Sequence, residues 1–304
     1  VTAKKANLPA SVRARLLALA RARGEDYNLM LQKYAIEGLL RRLAVSKHRD
    51  AFVLKGARLY TVWGYPTYRP SRDVDFLGHG DADPAAVAER IREICSVEVE
   101  DDGLRFLPAT ITAAPIREEA EYGGVRVHVE ATLEPAKIRV QIDVGFGDAV
   151  SPGPQTVDYP VLLDASVPRL RAYPRETVVA EKLHALLLLG ETNSRMKDLY
   201  DLAVLAAEFA FDGVVLSGAV TATFERRRMP LPESTPAALL PRFYQDVARE
   251  RLWAAFLERS GLGAERRDFP QLGGTLREFL EPVLDAAAGR REVRMKWARG
   301  GPWR

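Results

Sequence analysis

The chain has one cysteine, Cys95, and four histidines in 304 residues. A single thiol excludes an internal disulfide and a cysteine-built zinc site, and it fits a reducing, cytoplasmic setting. No apolar run approaches the ~18 residues of a membrane-spanning helix, so no membrane partner is expected. The opening stretch VTAKKANLPASVRARLL has no apolar core, and no signal peptide is expected. Internal repeats and low-complexity tracts are missing. Net charge is also small, with 44 Lys and Arg against 41 Asp and Glu.

That balance hides an uneven spread. Residues 1–50 hold 11 basic against 4 acidic side chains, and residues 290–304 hold 6 against 1. The middle, 51–289, holds 27 against 36. Basic ends around an acidic centre suit a polyanion at the periphery and a cation at the centre. Arg13, Arg15, Arg21, Arg23, Arg41 and Arg42 are the candidate basic face. Solvated helix faces and a frayed tail are the alternative. Hydrophobic residues make up 47% of the chain, enough for one large domain or two ordinary ones.

Three textures follow one another. Residues 1–50 read as basic helices, with Ser11 as an N-cap, a stripe of Leu16, Leu17, Leu19 and Ala20, and Gly24 as a stop. Leu31, Tyr34, Ala35, Leu39 and Leu43 recur at helical spacing in the next helix. Residues 51–172 are mixed. AFVL and DVDFLG read as strands, KGARLYTVWG as a short helix, and PAAVAERIREIC as an amphipathic helix with Pro84 in its first turn. GLRFL, GGVRVHVEATLE, AKIRVQIDVGF and TVDYPVLL read as further strands, the middle two alternating with period two and joined by a hairpin at EPAK. Residues 173–304 return to helix and end in a basic tail. PAALLPRFYQDVARERLWAAFLERSG is expected as one helix. This order predicts an α+β domain followed by a helical bundle.

The stretch RPSRDVDFLG puts Asp73 and Asp75 on one face of a half-buried strand, where they repel each other. Asp143 breaks an apolar pattern in the same way between Ile142 and Val144. Three carboxylates on one sheet could converge, and buried anions without a cation cost several kcal/mol each. Oxygen-only donors favour Mg²⁺ or Mn²⁺ over zinc. Pairing with Arg69 and Arg72 in a surface network is the alternative. Upstream, Lys55-Gly56 lies between a strand and a helix, where a glycine lets phosphate approach the backbone and a lysine adds charge. Lys182 borders a stripe of Val178, Val179, Leu183, Leu186 and Leu187. It either snorkels or reaches a triphosphate. His184 is expected to be structural or solvated.

Taken together, YNLMLQKYAIEGLLRRLAVSKHRDAFVLKGARLYTVW, RPSRDVDFLG, IRVQIDVGFGD and ETVVAEKLHALL with SRMKDLYDL resemble the AbiEii/AbiGii toxin family, from about Leu8 to Leu205. The resemblance implies a polymerase-β-like nucleotidyltransferase fold with N-terminal helices and a C-terminal helical bundle. It implies transfer of a nucleotide from an NTP, for some members to the 3′ end of tRNA, which blocks translation. A separately encoded antitoxin, often of winged-helix type, is the implied partner. Lys55 and Gly56 match the family's phosphate loop, with Ala57 where many members have a second glycine. Ser71, Asp73 and Asp75 match its Ser-x-Asp-x-Asp block. Asp143 matches the third acidic position. Lys182 and Asp198 match the Lys and Asp of the two following helices. On this reading Asp73, Asp75 and Asp143 hold two divalent metals that stabilise attacking and leaving oxygens. Lys55, Gly56 and Lys182 serve the triphosphate, Asp198 orients Lys182 or contacts the nucleotide, and a phosphate on Ser71 would exclude the NTP. Two alternatives stand beside it: a nucleotidyltransferase for a protein or small-molecule acceptor, and a non-catalytic nucleotide-binding module.

Overall fold

The computed structural model describes residues 7–65, 71–116, 123–262, 268–292 and 294–304. Arg69, one expected partner of the acidic pair, lies outside them. The chain divides into two compact units. The first comprises Val1–Gly147 and Gln155–Ala172, and the second Asp148–Pro154 and Tyr173–Arg304.

The first unit opens with α1 (Leu8–Arg23) and α2 (Tyr27–Val45). The cap of α1 is Asn7, not Ser11: its side chain accepts from the Ala10 amide, and Pro9 fills a first-turn position that needs no donor. Gly24 ends the helix in the left-handed region, at φ 63°. Val12, Leu16 and Ala20 of α1 are buried, and all five of the apolar positions expected in α2 are buried.

Next come β1 (Phe52–Lys55), α3 (Arg58–Val62), β2 (Asp73–Gly78) and α4 (Pro84–Cys95). A three-strand meander follows, β3 (Arg105–Ile116), β4 (Gly124–Leu133) and β5 (Ala136–Phe146). The strand β3 runs well past the expected GLRFL. Its continuation through Ala113 and Pro115 lacks clean alternation and includes a register shift between Leu107 and Thr112. Two short strands, β6 (Gln155–Asp158) and β7 (Arg169–Ala172), complete the sheet.

The seven strands run in the order β3-β4-β5-β2-β1-β7-β6. Two neighbouring pairs are parallel, β2 with β5 and β1 with β7. One face of the sheet is apolar, built by Val74 and Phe76, Val125, Val127 and Val129, and Ile138, Val140, Ile142 and Val144, all buried. The helices α1, α2 and α4 contact these strands. Strand alternation therefore sends Asp73, Asp75, Arg126, His128, Arg139, Gln141 and Asp143 to the opposite face.

Two arginines of the expected basic face are interior. Arg41 and Arg42 are 3% and 7% exposed, and each reaches Asp102 Oδ2 at 2.9 Å. Their guanidinium groups also lie over the Tyr34 and Phe106 rings. They neutralise a buried carboxylate and are not part of a docking face. Arg15, Arg21 and Arg23 are exposed.

The second unit is helical: α5 (Arg175–Leu189), α6 (Met196–Glu208), α7 (Gly213–Arg226), α8 (Pro241–Tyr244), α9 (Val247–Arg259) and α10 (Phe269–Ala287). The long helix expected from Pro236 onward is broken into a 3-10 turn, α8 and α9. Pro241 starts α8 because it cannot continue a preceding helix, and Asp246 caps α9 by accepting from Arg249. A two-strand ribbon, β8 (Phe211–Asp212) with β9 (Lys296–Trp297), ties down the basic tail. Trp297 is 1% exposed and donates to the Ala206 carbonyl at 2.7 Å, and Trp303 donates to the Phe279 carbonyl at 3.0 Å. The tail is packed, not frayed. Among the described residues no helix is long and apolar enough to cross a membrane.

Candidate active site

The acidic residues come together by register. Asp75 stands opposite Lys55 across the antiparallel β1–β2 pair. It stands opposite Asp143 across the parallel β2–β5 pair, and Asp143 stands opposite Arg126 across β4–β5. Side chains in register share a face. One row across the sheet therefore reads Lys55, Asp75, Asp143, Arg126: a cation, two anions, a cation. The next row holds Asp73, Gln141 and His128. One carboxylate oxygen from each of Asp73, Asp75 and Asp143 lies within 4.8 Å of the others.

Local chemistry fixes each member. Gly56 turns the chain at the end of β1 with φ 72°, a conformation side chains resist. A Cβ there would stand 2.0 Å from Asp75 Oδ2 and 2.9 Å from Asp75 Cβ. The glycine thus lets the loop backbone lie against the carboxylate. The following helix, α3, has only five residues. It is too short for the helix-terminus phosphate site expected from the sequence, and the bend at Gly56 is what remains of that expectation. Ser71 Oγ donates to Asp73 Oδ1 at 2.5 Å. Arg58, 5% exposed, donates to the Ser71 and Asp73 carbonyls at 3.0 and 3.2 Å, and so anchors the chain as it enters β2.

Arg126 and Asp143 form a two-pronged pair, Nε to Oδ1 at 2.9 Å and Nη2 to Oδ2 at 2.6 Å. Asp143 raises the Arg126 pKa through these bonds, and the charges of Asp73 and Asp75 add to the effect. Gln141 Nε2 approaches both Asp143 oxygens at 3.3 and 3.4 Å. The arginine expected beside the acidic pair, Arg72, is exposed and lines a cavity of about 270 Å³ with Asp73, His128, Arg139, Gln141 and Gln32. A second cavity of about 400 Å³ is lined by Arg126, His128 and β3 from Thr112 to Ile116. The cluster fits a hard divalent cation. Its donors are all carboxylate oxygens, three acids against the two flanking cations Lys55 and Arg126.

Lys182 and Asp198 belong to the second unit. Lys182 Nζ lies 2.8 Å from Asp198 Oδ1 and 2.5 Å from Asp201 Oδ2. Burial pushes Asp198 up, but Lys182, Arg195 and Lys197 outweigh it and hold the carboxyl below its usual range. Complete burial pushes Asp201 well above that range. Lys182 thus meets both carboxyl groups, Asp198 held low by its cations and Asp201 pushed up by burial. His184, two residues beyond Lys182 in α5, is buried. Burial, and then the charge of Arg227, lower its pKa to about 4, so it is neutral and structural.

Sequence reasoning placed the three carboxylates but missed Arg58 and Arg126. The signal for Arg126 was available. A hairpin closed at Glu134-Pro135 pairs Leu133 with Ala136, and counting outward in step pairs Arg126 with Asp143. Arg58 gave none, since an arginine opening a short helix reads as solvated.

Residues 38–275 match the family described as Nucleotidyl transferase AbiEii toxin, Type IV TA system. No curated protein is significantly similar to the chain. Two crystal structures share the fold. One is of a candidate nucleotidyltransferase from H. pylori, 15% identical, TM-score 0.50, covering 88% of this chain and 99% of that one. The other is JHP933 from Helicobacter pylori, 15% identical, TM-score 0.51, covering 87% and 95%.

Proposed function

Because the chain belongs to the AbiEii nucleotidyl transferase toxin family, we propose that it transfers a nucleotide from an NTP to an RNA acceptor. The acceptor is the 3′ end of tRNA, and the consequence is a block of translation. In the transfer a bond forms between the acceptor oxygen and the α-phosphorus, and the bond to pyrophosphate breaks. The observation that carries this reading is the convergence of Asp73, Asp75 and Asp143 beside the Lys55–Gly56 bend. When bound to these carboxylates, Mg²⁺ or Mn²⁺ supplies charge stabilisation to the attacking and leaving oxygens.

The chain's own groups do the rest. Lys55 sits beside Asp75 in the row, where an ammonium neutralises phosphate oxygens. Gly56 keeps the loop backbone within reach of the same space. Ser71 orients Asp73 through its hydroxyl. Asp143 favours deprotonation of the acceptor hydroxyl. Lys182 serves the triphosphate, as the family resemblance implies, and Asp198 keeps it charged. Exposed Arg15, Arg21 and Arg23 offer phosphate contacts to the RNA. A cognate antitoxin of winged-helix type is the partner that restrains the enzyme.

The test is an assay of the purified protein with Mg²⁺, each labelled NTP in turn, and total tRNA, with the label followed by size. Wild type is expected to label tRNA with one NTP preferred, and Asp75→Asn to label nothing while keeping its fold, because that change removes a half-buried charge and creates none. Transfer by Asp75→Asn at the wild-type rate would overturn the reading. Label on protein or small molecules alone would move the acceptor elsewhere.

A further inference from the structure

Both oxygens of Asp143 are engaged by one guanidinium, at 2.9 and 2.6 Å. Asp143 is also one of the three carboxylates close enough to share an ion. The two roles conflict. A doubly charged cation on Asp143 repels a guanidinium held on the same carboxylate, and the carboxylate's charge cannot serve both fully. The pair is built to part. The Arg126 side chain is 43% exposed whereas that of Asp143 is 15% exposed, so the arginine is the half that water reaches. Because water reaches the guanidinium, releasing it leaves no buried, unpaired cation behind. Arg126 also has somewhere to go, since it already lines the 400 Å³ cavity with Thr112 and His128. Lys55, at the other end of the row, lies across β2 from Asp143. The two cations of the row therefore flank the acids from opposite sides.

We propose that Arg126 is an exchangeable counter-ion: it holds Asp143 while the triad is metal-free, yields that carboxylate when a divalent cation binds, and then offers its guanidinium to an anionic oxygen of the acceptor in the adjoining cavity. The inference rests on the triad's taking a divalent cation. It makes cation binding and acceptor binding help each other. Each releases Arg126 from what the other needs, and such coupling is reciprocal. Without a metal, Arg126 supplies, with Lys55 on the other side, positive charge to the three carboxylates.

The experiment is a Mn²⁺ titration without nucleotide, read as free-ion electron paramagnetic resonance, on wild type, Arg126→Gln, Asp143→Asn and the double variant. Removing the competitor is expected to tighten Mn²⁺ binding by about tenfold in Arg126→Gln, and Arg126→Lys is expected to fall between, since it keeps the charge without the fork. The gain should vanish in the Asp143→Asn background. In a second arm, a fluorescent single-stranded oligoribonucleotide should bind wild type more tightly when Mn²⁺ is present, and Arg126→Gln should lose most of that enhancement. Equal or weaker Mn²⁺ binding by Arg126→Gln overturns the exchange, as does an undiminished gain without Asp143. If wild type binds no Mn²⁺, the metal site of the proposed function fails and takes the exchange with it. If wild type binds Mn²⁺ and Asp75→Asn does not, that site stands and a flat Arg126→Gln result sinks the exchange alone.

Discussion

Replacing Gly56 by alanine tests how closely the loop is fitted to the acid cluster. Two costs are separable. The first is conformational: alanine at φ 72° leaves the region L-residues prefer, at about 1–2 kcal/mol. The second is steric. The new methyl would stand 2.0 Å from Asp75 Oδ2, 2.7 Å from Cγ and 2.9 Å from Cβ. Rotating the carboxylate relieves the first contact but not the last, so β1 and β2 must also shift, for about 1–3 kcal/mol of overpacking. Gly24 supplies the control. It has φ 63° and nothing within 4 Å of a built Cβ, so Gly24→Ala carries the conformational cost alone. Urea unfolding should therefore place Gly56→Ala below Gly24→Ala by roughly the steric share. The displaced carboxylate should also lower nucleotide transfer about 100-fold, the scale expected for an ångström of misplacement, while Gly24→Ala transfers normally. Equal unfolding midpoints for the two variants, with transfer intact in both, would refute the claim that the loop is packed against Asp75.

Lys182→Ala takes the ammonium away from the buried Asp198 carboxylate, so it should cost about 3–5 kcal/mol in urea unfolding; an unfolding midpoint equal to wild type would refute that pairing. Two buried groups should tilt the pH profile in opposite directions. His184 falls from 6.5 to about 4 on folding, so the unfolded chain binds more protons and stability rises with pH across that window, by about 3 kcal/mol. Glu37 is raised by burial from 4.5 to about 7, so the native state holds the extra proton and stability falls across that window by a similar amount, about 3 kcal/mol. His184→Gln should remove the rise and Glu37→Gln the fall, read as urea midpoint against pH; profiles parallel to wild type would refute both. Finally, removing Arg21 and Arg23 together should lower the salt slope of RNA binding by about 2, whereas Arg42→Ala should leave the slope alone and cost about 3–5 kcal/mol in stability.

How far these features could be read from the sequence depended on which physical property wrote the signal. Alternation wrote β4 and β5 plainly, because each has one wet and one dry face. It wrote β3 poorly, since Pro108, Ala113 and Pro115 carry little contrast between faces. Asp73, Asp75 and Asp143 were legible as acids intruding on apolar runs. Their convergence needed the pairing of β2 with β5, which no local pattern encodes. The short β7 was missed because RLRA looks like a loop until Leu54 pairs with Ala172. Arg41 and Arg42 misled because counting charge along a helix ignores what the helix packs on. Their partner, Asp102, is 60 residues away from Arg42 in sequence.

The strand order has a consequence for assembly. Asp73 and Asp75 are delivered by β2, the antiparallel neighbour of β1, whereas Asp143 arrives on the last strand of a meander that can zip up from its own hairpin. Only when the meander docks edge-on, β5 against β2, do the three acids meet. That contact joins residues some seventy positions apart and is among the costlier loops to close. The pairing of β5 with β2 is thus the contact that assembles the centre. A nascent chain that has not yet released β5 carries the Asp-x-Asp strand without its third acid. A local opening along the β2–β5 seam would switch the centre off while leaving each half folded, and amide exchange along that seam is where such a breathing motion would be seen.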